Sequence, residues 1–193
     1  DLGSDPEMGR AVFDLVWRAG YENREILDKL VPADSLALVA YLNFLVEAKR
    51  INAAKEVWAR LVELGQRFPG RAAFPYLDAL IQQGESEELR RAWSAVEAGM
   101  PGSARGPADR GNEITNGGFE GAILNGGLDW RVIPAEGVRV TVDPMTFFDV
   151  TKSLRIDFDG RQNLAYSHVL QFVPVQPDTS YRFLAYLRAQ GIS

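Results

Sequence analysis

Asp157 and Asp159 stand two apart in SLRIDFDG, and a carboxylate pair is the equipment of glycoside hydrolysis. That chemistry needs the two acids to flank a cleft. Two acids on one face of one strand, with Gly160 after them, read instead as a strand end and its turn. A second stretch, NGGFEGAILNGGLDW from Asn116 to Trp130, carries Asn-Gly-Gly twice. A phosphate cradle needs glycines that close a strand and open a helix, so that backbone N–H groups and the helix dipole face the anion. No helical period follows either triplet, and neither GxGxxG nor GxxxxGK with a following Ser or Thr occurs. Turn chemistry accounts for both triplets, since Asn and Gly accept positive φ. His168 is the only histidine; it shares a strand face with Tyr166 and has no partner that would make it a general base. With no cysteine, disulfides, thiolate zinc sites and cysteine nucleophiles are excluded. No nucleophile–base set appears, and the chain reads as a non-enzyme.

The elements that must position these residues follow from composition and period. The chain is 46% hydrophobic, enough for one or two cores. A net charge of −5 speaks against nucleic acid, which needs clustered Lys and Arg, and no polybasic run points to an anionic membrane. No apolar run approaches the roughly 20 residues of a membrane span. No signal peptide opens the chain, and a first residue other than Met reads as a trimmed or mature fragment.

Residues 1–98 read as helix. MGRAVFDLVWRAG puts Val12, Val16 and Ala19 on one stripe with Phe13 and Trp17 beside it, and Gly20 is a stop. NREILDKLV is a short helix ending before Pro32. In DSLALVAYLNFLVEAKR, Asp34 or Ser35 caps a wide face of Leu38, Tyr41, Leu42, Leu45 and Val46. NAAKEVWARLVELG buries Ala54, Val57, Trp58, Leu61, Val62 and Leu64, with Glu56 and Arg60 as an i,i+4 pair. Pro75 starts or kinks the next helix, and Ser86 with its acidic neighbours opens the last.

Helix pairs recur about every 34 to 37 residues, and AYLNFLVEAKRINAAKEVWARLVE has small residues at its turn and a Trp in its second helix. This resembles a tetratricopeptide-type repeat, although Arg50 stands where that family usually has glycine. The resemblance implies a short solenoid of helical hairpins, a scaffold or peptide-binding surface. Trp17, Trp58 and Trp93 read as core; the alternative is a concave groove for a peptide. Residues 99–112, rich in Pro, Gly and Ala, read as a linker.

From 113 onward the grammar is that of strands. LDWRVIP, GVRVTVDP, SLRIDFDG, AYSHVLQFVPVQP and TSYRFLAYLRAQ alternate apolar with polar positions and are separated by Gly, Pro and Asp. That pattern predicts an antiparallel β-sandwich, so the fold class is multi-domain, α plus β. NGGFE, the Trp130 strand, SLRIDF and QFVPVQPDTSYRFLAYLRA resemble the carbohydrate-binding-module type of jelly roll, the galactose-binding-like superfamily near families 4 and 9. Such a jelly roll needs about eight strands, and only five or six are legible. The expectation is an incomplete module whose open edge or apolar face is covered by the helices, a second copy or an exchanged segment.

The resemblance also implies sites. A sugar needs flat aromatic faces and a few planar polar groups. Tyr186, Arg188, Arg182, Arg155, Asp157 and Gln171 are the candidates, against the alternative that Arg155, Asp157 and Arg188 form a solvated cross-strand ladder. Trp130 reads as core rather than platform. Glu120 is the position implied for a structural calcium ion, held by oxygen ligands; no other cofactor is implied. The resulting expectation is a non-catalytic binding or assembly protein of a bacterial periplasm or envelope. Its helices dock a protein partner, its β half binds glycan, and the open edge can pair two copies. The alternative is a purely structural scaffold without sugar binding.

Overall fold

The computed structural model describes residues 6–99, 112–148, 151–161, 163 and 165–191. The chain divides into two compact units, Asp1–Ala104 and Arg105–Ser193. Most of the expected linker, 100–111, lies outside the described residues.

The first unit holds α1 (Pro6–Arg18), α2 (Asn23–Lys29), α3 (Ser35–Glu47), α4 (Ile51–Leu64), a 3-10 turn (Gly70–Ala73), α5 (Phe74–Gln83) and α6 (Ser86–Gly99). Asp34 caps α3: its Oδ1 accepts the backbone N–H groups of Leu36 and Ala37, each at 3.0 Å. α3 is apolar nearly all round because it packs against α1, α4 and α5 at once. Leu38, Tyr41, Leu42 and Leu45 are fully buried there. Phe13 meets Tyr41 with ring centroids 4.7 Å apart, and Trp58 stacks on Tyr76 at 5.2 Å. A buried polar contact joins α2 to α3 and α4. Asn23 accepts from the Tyr41 hydroxyl at 2.9 Å and donates to Glu56 at 2.7 Å. Pro75 lies in the first turn of α5, where its missing N–H costs nothing.

Three expectations about this unit are corrected. Phe13, rather than the Val12–Val16–Ala19 stripe, is the buried centre of α1, and Ala19 is exposed. Val62 is exposed on α4. Arg60 pairs with Glu63 one turn on, while Glu56 is taken by Asn23. The left-handed residue of the α3–α4 turn is Lys49, φ 56°, and Arg50 has φ −98°. Arg50 thus needs no glycine, and its side chain is available for other contacts.

Among the described residues the second unit has four strands: β1 (Arg131–Val132), β2 (Val138–Asp143), β3 (Ser153–Phe158) and β4 (Val169–Leu170). They form two separate antiparallel ribbons, β1–β4 and β2–β3. The second runs in register from Val138 opposite Phe158 to Asp143 opposite Ser153. A sandwich is therefore not what the described residues display. LDWRVIP yields only β1, because Leu128 and Trp130 belong to a turn. The Asp129 carboxylate accepts the Leu124 N–H, and the Trp130 carbonyl accepts from Asn125. AYSHVLQFVPVQP yields only β4. TSYRFLAYLRAQ forms no strand: its alternation is intact, but among the described residues no ladder neighbour stands beside it, and Phe183 and Leu187 are 75% and 95% exposed.

Gly137 closes the β2–β3 ribbon. Its φ is +75°, and a Cβ there would lie 2.8 Å from Asp159 Oδ1. Gly160 has φ +70° but open space around it. Gly137→Ala is expected to cost the ribbon about 1–3 kcal/mol, and Gly160→Ala less. Hydrogen exchange of the β2 and β3 amides reads both; equal protection in the two variants would remove the steric argument.

Candidate functional site

Arg10, Asp14, Trp17 and Arg18 lie at helical spacing on one face of α1. Phe44, Glu47, Ala48 and Arg50 face them from the end of α3 and its turn. Between the two runs is an open groove of about 630 Å³. Its charged rims are pinned across and along the helices. Arg10 meets Glu47 at 2.7 Å, and Arg18 meets Asp14 at 2.8 Å. These pairs are solvent-exposed, hence weak and displaceable. Trp17 is half-buried, whereas Trp58 and Trp93 are buried as expected of core. The Arg50 guanidinium lies over the Trp17 ring, 3.9 Å from its centroid.

Tyr41 lies behind the groove. Burial pushes its phenol up to about 12, against the opposing effects of the neighbouring Trp17 indole and Arg50 charge. A neutral phenol at that pKa is a structural hydrogen-bond donor, not an acid–base catalyst near neutrality. The groove thus combines an aromatic face with charged rims. A smaller apolar hollow of about 300 Å³ lies between the ends of α4 and α6, and Val62 lines it.

Of the six residues expected to bind a sugar, four are held by contacts within the second unit. Arg155 and Asp157 pair with each other along β3, Nε to Oδ1 at 2.8 Å. Asp157 holds the guanidinium pKa above its usual value, and Asp143 approaches at 4.0 Å. Among the described residues Arg188 forms no ion pair, so of the expected three-residue ladder this pair is what they display. Gln171 is committed to Thr115, accepting its N–H at 3.2 Å and donating to its carbonyl at 2.7 Å. Arg182 and Arg188 are exposed on the strandless segment. Tyr186 is 61% exposed, but Phe148 stacks on it at 3.7 Å and 16°, covering one of the two faces a sugar would use.

The calcium position does not fit the ion. Glu120 Oε1 accepts the Thr151 N–H at 2.8 Å and Oε2 its hydroxyl at 2.6 Å. Those bonds hold the carboxyl below its usual range. Lys152 places an ammonium on the Glu120 carbonyl at 2.8 Å, where a cation would have to compete with it. Among the described residues no three His, Cys, Asp or Glu gather as a metal cluster.

The remaining motifs resolve locally. Asp159 Oδ1 accepts the Arg161 N–H, so Asp157 and Asp159 have separate partners and make no catalytic pair. His168 stacks on Tyr166 at 4.9 Å. Asn116 and Asn125 take φ of 51° and 58°. The Asn116 side chain brackets Gly121, accepting its N–H and donating to its carbonyl. Trp130 is half-buried against Phe119, and its indole N–H donates to the Asn116 carbonyl at 3.0 Å. Phe119 itself, φ 55°, lies in the turn, its N–H bonded to the Asn116 carbonyl at 3.0 Å.

Sequence reasoning missed Arg50 and Phe148. Arg50 had a signal, a long cation at the helix turn where a small residue was anticipated. Phe148 had none. No helix among the described residues is long and apolar enough to cross a membrane. Compared with protein-family models, with curated proteins and with solved structures, the chain matches none.

Proposed function

We propose that this is a non-catalytic docking protein whose helical unit grips a segment of a protein partner in the groove between α1 and the end of α3. In this reading the helices are a short solenoid of tetratricopeptide type. The second unit is an open relative of the carbohydrate-binding-module jelly roll. The half-buried Trp17 carries the reading: of the three tryptophans in the helical unit, it alone lines the groove. An indole offers a large apolar face at little entropic cost, and such residues dominate binding energy at interfaces. For the second unit a structural role is favoured over sugar binding. Gln171 is consumed by Thr115, and one face of Tyr186 is covered by Phe148.

A photo-reactive amino acid at Ala48, in the groove, tests this in the cells that make the protein. Cross-links to one defined protein segment are expected from Ala48 and not from the exposed Ala59 on α4. Trp17→Ala is expected to weaken the association about tenfold. Cross-linking as frequent from Ala59 as from Ala48 would end the proposal.

A further inference from the structure

The groove has an imbalance that says what kind of segment it takes. Of the charged residues that line it, Arg10, Arg18 and Arg50 are cations, and Asp14 and Glu47 are anions. Arg10 and Arg18 are each matched by one of those carboxylates. Arg50 has none among the described residues; its contact is the face of Trp17. Among the charged residues that line the groove, Arg50 is the one cation for which no ion pair forms among the described residues.

The guanidinium, 3.9 Å from the Trp17 ring centroid, carries its N–H groups in its own plane, directed outward from its edge. It is a ready fork for a planar carboxylate, which accepts two parallel hydrogen bonds. The indole also limits the rotamers Arg50 can visit, so less freedom is lost when an anion arrives. Next to this fork the groove is apolar: the uncovered part of Trp17, Phe44, and the short side chains of Ala11 and Ala48.

We infer that the segment docking here is acidic, with a carboxylate seated on Arg50 and an adjoining apolar side chain laid against Trp17 and Phe44. This rests on the docking function proposed above and names the partner chemistry for the same groove. The carboxylate contributes orientation and salt-sensitive attraction, and the apolar contact contributes most of the affinity.

A display library of random peptides, selected on the immobilised full chain, tests this directly. Enriched peptides are expected to carry Asp or Glu beside a large apolar residue. They should bind Arg50→Gln about tenfold more weakly and lose affinity as salt rises. Arg50→Lys, which keeps the charge but not the fork, is expected to recover only part of the loss. Enriched peptides that need Trp17 yet show no excess of carboxylates, or bind Arg50→Gln as well as the parent, would overturn the acidic assignment and leave the docking reading standing. A library yielding nothing that depends on Trp17 would remove the docking reading, and this assignment with it.

Discussion

Tyr41→Ala is expected to remove about 3–5 kcal/mol from the helical unit, the largest loss from any single change considered. The side chain is 0% exposed and lies between Phe13 and Phe44. Truncation leaves a cavity that three packed helices cannot close, and it strands the Asn23 carbonyl that accepted from the hydroxyl. Tyr41→Phe keeps the ring and loses only the hydrogen bond, for about 1–3 kcal/mol. Domains are typically stable by about 5–15 kcal/mol, so the alanine variant should be close to unfolding at room temperature. Urea unfolding followed by far-ultraviolet circular dichroism reads the helices directly. A loss for Tyr41→Ala no larger than that for Tyr41→Phe would mean the ring is not a core element.

The second large effect is alkaline. Tyr41 ionises near 10.0 when unfolded and at about 12 in the fold, chiefly because burial disfavours the phenolate. Below pH 10 both states hold the proton, and the stability is fully present. Between pH 10 and 12 the unfolded chain releases its proton while the folded chain retains it, so stability falls as pH rises. For Tyr41 alone the loss by pH 12 is on the order of 2–3 kcal/mol. Tyr76 is raised by burial too, and then by the neighbouring Glu88, and it acts in the same direction. Unfolding midpoints measured from neutral pH upward should drop steeply above pH 10, and Tyr41→Phe should flatten the drop by removing one contributor. A midpoint that stays level to pH 12 would contradict the burial of both phenols.

The helical half was legible because its signals are local. The Asp34 cap, the apolar run of α3 and the position of Pro75 each act within a turn or two of themselves. What failed there was side-chain choice between near-equal options. Glu56 had Arg60 one turn away, but a buried Asn23 claimed it across the fold. The β half was legible as turns and as one ribbon. GVRVTVDP and SLRIDFDG are close in sequence and found each other as β2 and β3. TSYRFLAYLRAQ has the same alternation, but alternation states only which side chains share a face. Whether a strand forms depends on a neighbour with free N–H and C=O groups, which no local pattern encodes. The sugar candidates were read from a shared strand face, whereas the contacts that occupy Gln171 and Tyr186, with Thr115 and Phe148, come from far along the chain. The groove is an intermediate case. Trp17 was weighed as a groove residue, yet its partner Arg50 depended on a left-handed Lys49 that nothing in the composition marks.

The two hydrogen bonds between Thr115 and Gln171 span 56 positions of chain. The β1–β4 ribbon likewise waits for Leu170 to reach Arg131. Closing long loops is slow, because the chain entropy is lost before the contact rewards it. In the helical unit each helix forms from its own neighbours, and the cross-links from Asn23 to Glu56 and from Ser35 to Arg67 span 33 and 32 positions. On a ribosome, which delivers the amino terminus first, the groove is therefore complete while Thr115 is still waiting for its glutamine. By the loop-closure argument the half with the more exposed aromatic side chains is expected to be the later one to fold.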